Sequence, residues 1–262
     1  MDWAYKAAVT ASVVASVMMA ARLFDRRVAG ALAALPVLSA PALLWLADEQ
    51  GPAFAADTAT GNLLACVVAP AFAWAFLCAA RARGAAAALA IACAVAAALA
   101  WLLLKLGLSG DAWFALGLAL ASCAAVLAAL GGEDTRAGWV RPLPWEPWLS
   151  AGVAAALSVL VSAQAQPLGP AVAGLLTAMP LISGCALVHL RRAGGRGNLV
   201  HFVRGYVLGI AAKAVFAVTF AQTVMGLGAA PSMALALLVG ATTAVVLARL
   251  EGRQPVPRGA GA

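Results

Sequence analysis

The run from Gly205 to Val224 is twenty residues long and carries a lysine, Lys213, near its centre. An amine at that depth in a membrane costs about 2.5–3.5 kcal/mol on insertion scales, so it is read by default as functional. No Asp or Glu stands at the middle of any apolar run in the chain. Three chemistries then fit Lys213. It can be the positive end of an anion site, an amine that carries a proton, or a donor to backbone carbonyls freed at the proline breaks around Pro36, Pro70 or Pro180. The first two combine: an ammonium compensated only when an anion arrives couples the movement of substrate and proton.

Pro36 and Pro180 lie inside apolar runs, where each removes an amide donor and leaves carbonyls without helical partners. Such groups are tolerated at membrane depth only inside the bundle or beside a polar cavity. Pro41 can restart the first of these helices, and Gly184 lets another backbone approach the second. Ser39 and Ser183 stand one turn beyond the two prolines, placed either to bond a freed carbonyl or to reach a solute. Lys213, Ser39 and Ser183 are therefore the expected substrate-binding residues. Asp57, His201 and Arg204 sit toward the ends of their runs and are candidates for a gate or proton relay. Thr58, Thr60 and Asn62 are read with Asp57 as outward-end polarity. His189 and His201 are the only histidines, and neither has further ligands nearby, so no metal and no cofactor are expected.

These residues need elements that span a membrane, and the composition supplies them. Of 262 residues, 65% are hydrophobic and 10% charged, with a mean hydropathy of +0.97. A soluble fold needs more charge to cover its surface. At about 20 residues per crossing, nine spans fit: 3–21, 28–47, 55–80, 85–104, 112–130, 147–165, 170–190, 199–223 and 230–249. The first is kept as a helix rather than a cleaved leader, because Arg22, Arg26 and Arg27 follow its apolar stretch. Those arginines share one side of the nine-span arrangement with Arg81, Arg83, Arg136, Arg141, Arg191, Arg192, Arg196, Arg204, Arg249, Arg253 and Arg258. Lys6 and Lys105 lie on the other. The positive-inside rule then puts the N-terminus outside and the C-terminus in the cytoplasm.

The two halves also repeat. At a constant offset of 144 residues, Gly30 falls on Gly174, Pro36 on Pro180, Ser39 on Ser183, Gly61 on Gly205 and Gly84 on Gly228. Spans 1–4 then correspond to spans 6–9, and the single span between them turns the second half over. The expected fold is an all-α polytopic membrane protein with nine transmembrane helices in an inverted 4+4 repeat. It divides into a first repeat (1–107), a connector holding span 5 (108–144), a second repeat (145–251) and a cytoplasmic tail (252–262), with helices 2 and 7 kinked or broken.

Inverted repeats with broken helices at mid-depth are a recurring architecture of secondary transporters. The chain is accordingly expected to transport or export a small anionic solute, with protons as a candidate coupling ion, from a bacterial inner membrane. Its partners are that solute, lipid and, in a homo-oligomer, a second copy; the scattered cations leave no nucleic-acid surface. A membrane scaffold or accessory subunit whose kinked helices only pack partners is the alternative. Gly107, Ser109 and Gly110, in the sequence GLSG, look like the serine motif of the rhomboid intramembrane proteases, which would imply a serine–histidine pair. The charge pattern puts Ser109 on the opposite side from His189 and His201, so no enzyme is expected.

Overall fold

The computed structural model describes residues 3–21, 28, 31–32, 36, 39–108, 110–131, 146–178, 180–193 and 195–252. Ser109, Gly30, the arginines at 22, 26, 27, 136, 141, 253 and 258, and most of the tail fall outside the described residues. Among the described residues the chain is helical throughout: α1 (Trp3–Ala21), α2 (Ser39–Gln50), α3 (Pro52–Ala79), α4 (Ala85–Lys105), α5 (Ala112–Leu130), α6 (Glu146–Thr177), α7 (Leu181–Ala193), α8 (Gly195–Leu227) and α9 (Ala229–Gly252). Five of them, α3, α4, α5, α8 and α9, are long and apolar enough to cross a membrane. The protein is a multi-pass helical membrane protein.

The centre is built from α3 and α8, which pack on each other and are mostly buried, while α9 is mostly exposed. Around α3 lie α2, α4, α5 and α6; α8 adds α5, α7 and α9. Helices α4 and α5 show why the outside is lipid-facing. Their buried positions are mainly alanines at a spacing of four, Ala88, Ala92, Ala96 and Ala100 in α4 and Ala115 and Ala119 in α5. One narrow small-residue stripe therefore seats each helix, and the apolar remainder, including Ile91, Leu102 and Phe114, is exposed.

Charge separates along the helix axes. At one end Lys6 is ion-paired with Glu49, and Gln166 Nε2 donates to Gln50 Oε1 at 3.0 Å. At the other, Arg191 Nε donates to the Ala80 carbonyl at 3.1 Å, Arg204 donates to the Gly131 carbonyl, and Arg81, Arg191 and Arg196 share one small pocket. Lys105, at the α4 end away from those arginines, lies 5.9 Å from the Trp101 ring centroid, an arrangement that lets its amine reach the membrane edge.

Both conspicuous prolines precede helices. The Pro36 carbonyl accepts from the Ala40 amide at 2.8 Å, and the Pro180 carbonyl from the Gly184 amide at 2.9 Å. Each bond leads into the following helix, α2 or α7, and neither proline is itself helical. Helix α6 is longer than span 6, because it continues past Pro167 to an interruption at Gly169, whose φ of 74° and ψ of 163° only glycine adopts readily. Pro170 then opens the segment 170–177, where its missing amide costs nothing. That segment and α7 together cover span 7. For span 2, helix is described at 28 and 31–32 and again from Ser39.

Candidate functional site

Where segment 170–177 crosses α3, the two backbones touch. A Cβ added to Gly174 would lie 2.1 Å from the Thr58 carbonyl oxygen, and one added to Gly61 would lie 2.6 Å from the Ala171 carbonyl oxygen. Only hydrogen fits at either position. The close crossing brings polar side chains of distant sequence together. Thr177 Oγ1 lies 2.8 Å from Asn62 Oδ1 and 2.9 Å from the Gly174 carbonyl, and Ser39 Oγ donates to the Thr177 carbonyl at 3.3 Å. Asn62, Thr58, Thr177 and Ser39 are all buried, and Asn62 Nδ2 has no hydrogen-bond partner among the described residues. Outward-end polarity is what the sequence suggests for Asn62, and the structure buries it within the packing. Its place on one helix face with Thr58 and Gly61, at i, i+3 and i+4, is the signal that marks such a crossing.

The two serines are thus committed to backbone. Ser39 serves the carbonyl at the end of segment 170–177, and Ser183 Oγ donates to the Pro180 carbonyl at 3.0 Å. Of the two options that the sequence leaves open, bonding to a carbonyl at a break describes both. Ser39 keeps only acceptor lone pairs for anything else, and Ser183 also shares a hydrogen bond with the Tyr206 side chain of α8.

Lys213 is 7% exposed and, among the described residues, makes no ion pair or hydrogen bond. It lies within electrostatic reach of the Cys66 thiol of α3, one turn before Pro70. Pro70 lies inside α3 and deprives the Cys66 carbonyl of its usual amide partner. The neighbouring Val67 carbonyl accepts a hydrogen bond from Ser122 Oγ of α5 at 2.9 Å. The proline turn is thereby tied to α5.

Lys213 also lines a cavity of about 520 Å³ bounded by α1, α2, α8 and α9. Pro36, Ala40 and Pro41 line it from the start of α2, Trp45 lies a turn further on, and Phe216 flanks the lysine on α8. The structure therefore places Lys213, Pro36 and Pro41 at one cavity. Neither Ser39 nor Ser183 is among its lining residues, and Pro180 and Gly184 lie elsewhere; a Cβ added to Gly184 would lie 3.4 Å from the Leu89 and Phe72 side chains. The walls are apolar: Val9, Val13 and Val17 present one face of α1, and Leu44, Met233 and Leu237 face them from α2 and α9. Trp45 adds its indole to this wall. Its Nε1 is buried without a hydrogen-bond partner among the described residues.

Asp57 is exposed near the start of α3. His201 and Arg204 belong to the arginine-rich end of α8, where Leu199 meets Leu77 in the small pocket. Leu77 is twenty residues from Asp57 along α3, about 30 Å at 1.5 Å per residue. These three residues do not form one cluster. Among the described residues no three His, Cys, Asp or Glu side chains gather as a metal site. No family model, curated protein or solved structure matches the chain.

Proposed function

We propose that the chain is a secondary transporter or exporter of a small anionic solute working by alternating access, with Lys213 in the binding cavity. The observation that carries this reading is a buried lysine with no carboxylate partner among the described residues, at a cavity whose wall includes Pro36 and Pro41 at the start of α2. An isolated charge in hydrocarbon is unfavourable, and an entering anion supplies the missing compensation. The paired restarts at Pro36 and Pro180 support an inverted repeat of 4+4 helices about a central one. The gathering of arginines at one end supports an N-terminus outside and a C-terminus in the cytoplasm of a bacterial inner membrane. If the entering anion carries a proton, or Lys213 releases one when the anion leaves, flux is coupled to the pH gradient.

Transport by the purified chain in sealed vesicles, scanned over small organic anions with and without a pH gradient, tests the reading. Uptake or exchange that is lost in Lys213→Met supports it. Full transport by that variant removes the lysine's role. A protein that moves no anion, while still pulling partner subunits from the membrane, is the scaffold of the alternative reading.

A further inference from the structure

The cavity at Lys213 carries a more specific chemistry than attraction to anions. Among the described lining residues Lys213 carries the one charged side chain, and the Trp45 indole nitrogen is buried. The Lys213 amine donates, and apart from the Met233 thioether no side chain among the described lining residues accepts. A donor-only set is satisfied by a ligand whose polar end only accepts. The rest of the wall is aliphatic or aromatic, which a hydrated inorganic ion or a short polar acid leaves uncovered. At about 520 Å³ the space falls within the ~300–1,000 Å³ of sites that enclose whole organic molecules.

The cavity also has a side. Val13 of α1 and Leu237 of α9, near the middle of their helices, are 38% and 44% exposed while lining it. In a multi-pass membrane protein, apolar surface at mid-helix faces acyl chains, so the cavity communicates with the bilayer between α1 and α9.

We propose that this cavity binds an amphipathic anion, a carboxylate or phosphate head on a hydrocarbon chain, which enters sideways from the bilayer and places its head at Lys213. The chain then lies along Val9, Val13, Leu44, Phe216 and Met233. The proposal rests on the reading of this cavity as the transport site and names the class of solute it takes.

The test is displacement of a fluorescent dodecanoate from the full chain in lipid nanodiscs, corrected by empty nanodiscs, using acetate, octanoate, dodecanoate, dodecyl phosphate and dodecanol. Affinity is expected to rise with chain length, by up to roughly fourfold per buried methylene. Dodecanoate or dodecyl phosphate should compete at least about tenfold better than dodecanol, a preference that Lys213→Met abolishes and one fixed charge-assisted bond accounts for. Preference for one of the two heads tells a carboxylate from a phosphate ligand. Leu44→Trp, which fills the space and leaves the amine, should weaken dodecanoate and spare acetate. If acetate competes as well as dodecanoate at a Lys213-dependent site, the amphipathic ligand is wrong and small-anion transport survives. If dodecanol equals dodecanoate and Lys213→Met changes nothing, the head site is wrong. If dodecanoate binds as expected but is not moved across vesicles, the ligand stands and the transport reading falls.

Discussion

Thr177 Oγ1 and Asn62 Oδ1 are 2.8 Å apart although 115 residues separate them in sequence. The same hydroxyl lies 2.9 Å from the Gly174 carbonyl, and it has one proton to give. With the side-chain amide of Asn62 turned so that its NH₂ faces the threonine, Thr177 accepts from Asn62 and donates to Gly174, and both contacts are used.

Thr177→Val keeps the shape and removes the hydroxyl. It is expected to lower stability by about 1–3 kcal/mol, because a buried asparagine loses its partner, whereas Thr177→Ser restores most of the loss. Thermal unfolding in detergent, read by loss of the monodisperse peak, checks both. Equal stability of the valine and serine variants would show that the hydroxyl does not hold the crossing.

At the same crossing, Gly174→Ala must displace the α3 backbone, since its Cβ would start 2.1 Å from the Thr58 carbonyl oxygen. Backbone cannot swing aside as a flexible side chain can, so the expected loss is at the top of the usual overpacking range, about 3 kcal/mol or more. Gly84→Ala has open space around it and serves as the tolerated control in the same unfolding assay.

Lys213→Met should raise stability by about 1–3 kcal/mol while abolishing anion flux, because it removes from an apolar wall an amine that no carboxylate among the described residues compensates. Function and stability thus move in opposite directions. A variant that unfolds more readily than the parent would mean that the amine has a structural partner.

Pro36→Ala and Pro180→Ala, made together, let amides return at both restarts and favour continuous helices. The pair is expected to gain thermal stability and to slow exchange in vesicles by about tenfold or more. Unchanged exchange would separate the breaks from the transport cycle.

Reporters fused at residues 48, 133 and 194 should read outside, inside and inside. An outside signal at 133 would overturn the odd connector and the inversion with it.

Much of the helical layout is legible because single residues punctuate it. Span 112–130 coincides with α5, whose start is fixed by Asp111 accepting from the amides of Trp113 and Phe114 at 2.9 and 3.2 Å. Pro36 and Pro180 announce interruptions for the same local reason. The end of span 6 was not legible: prolines at 167 and 170 suggest a stop at either, and only the dihedrals at Gly169 decide between them. The polar crossing was missed because Asn62 and Thr58 lie near the outer end of an apolar run, where polarity is ordinary. Their burial depends on segment 170–177, more than a hundred residues away. Lys213 stood out by depth alone, but Trp45 did not, since an indole is unremarkable until its nitrogen is seen buried without an acceptor.

The contact of bare backbone at Gly61 and Gly174 also restricts how the bundle can move. Side chains that interlock resist rotation; two glycine surfaces in contact resist approach but leave rotation free. If the chain works by alternating access, α3 and segment 170–177 are expected to pivot here, with the Thr177–Asn62 contact as the tether. Spin labels placed beside the pivot should keep one separation through a transport cycle, while labels at the far ends of the same two helices trade short distances for long ones.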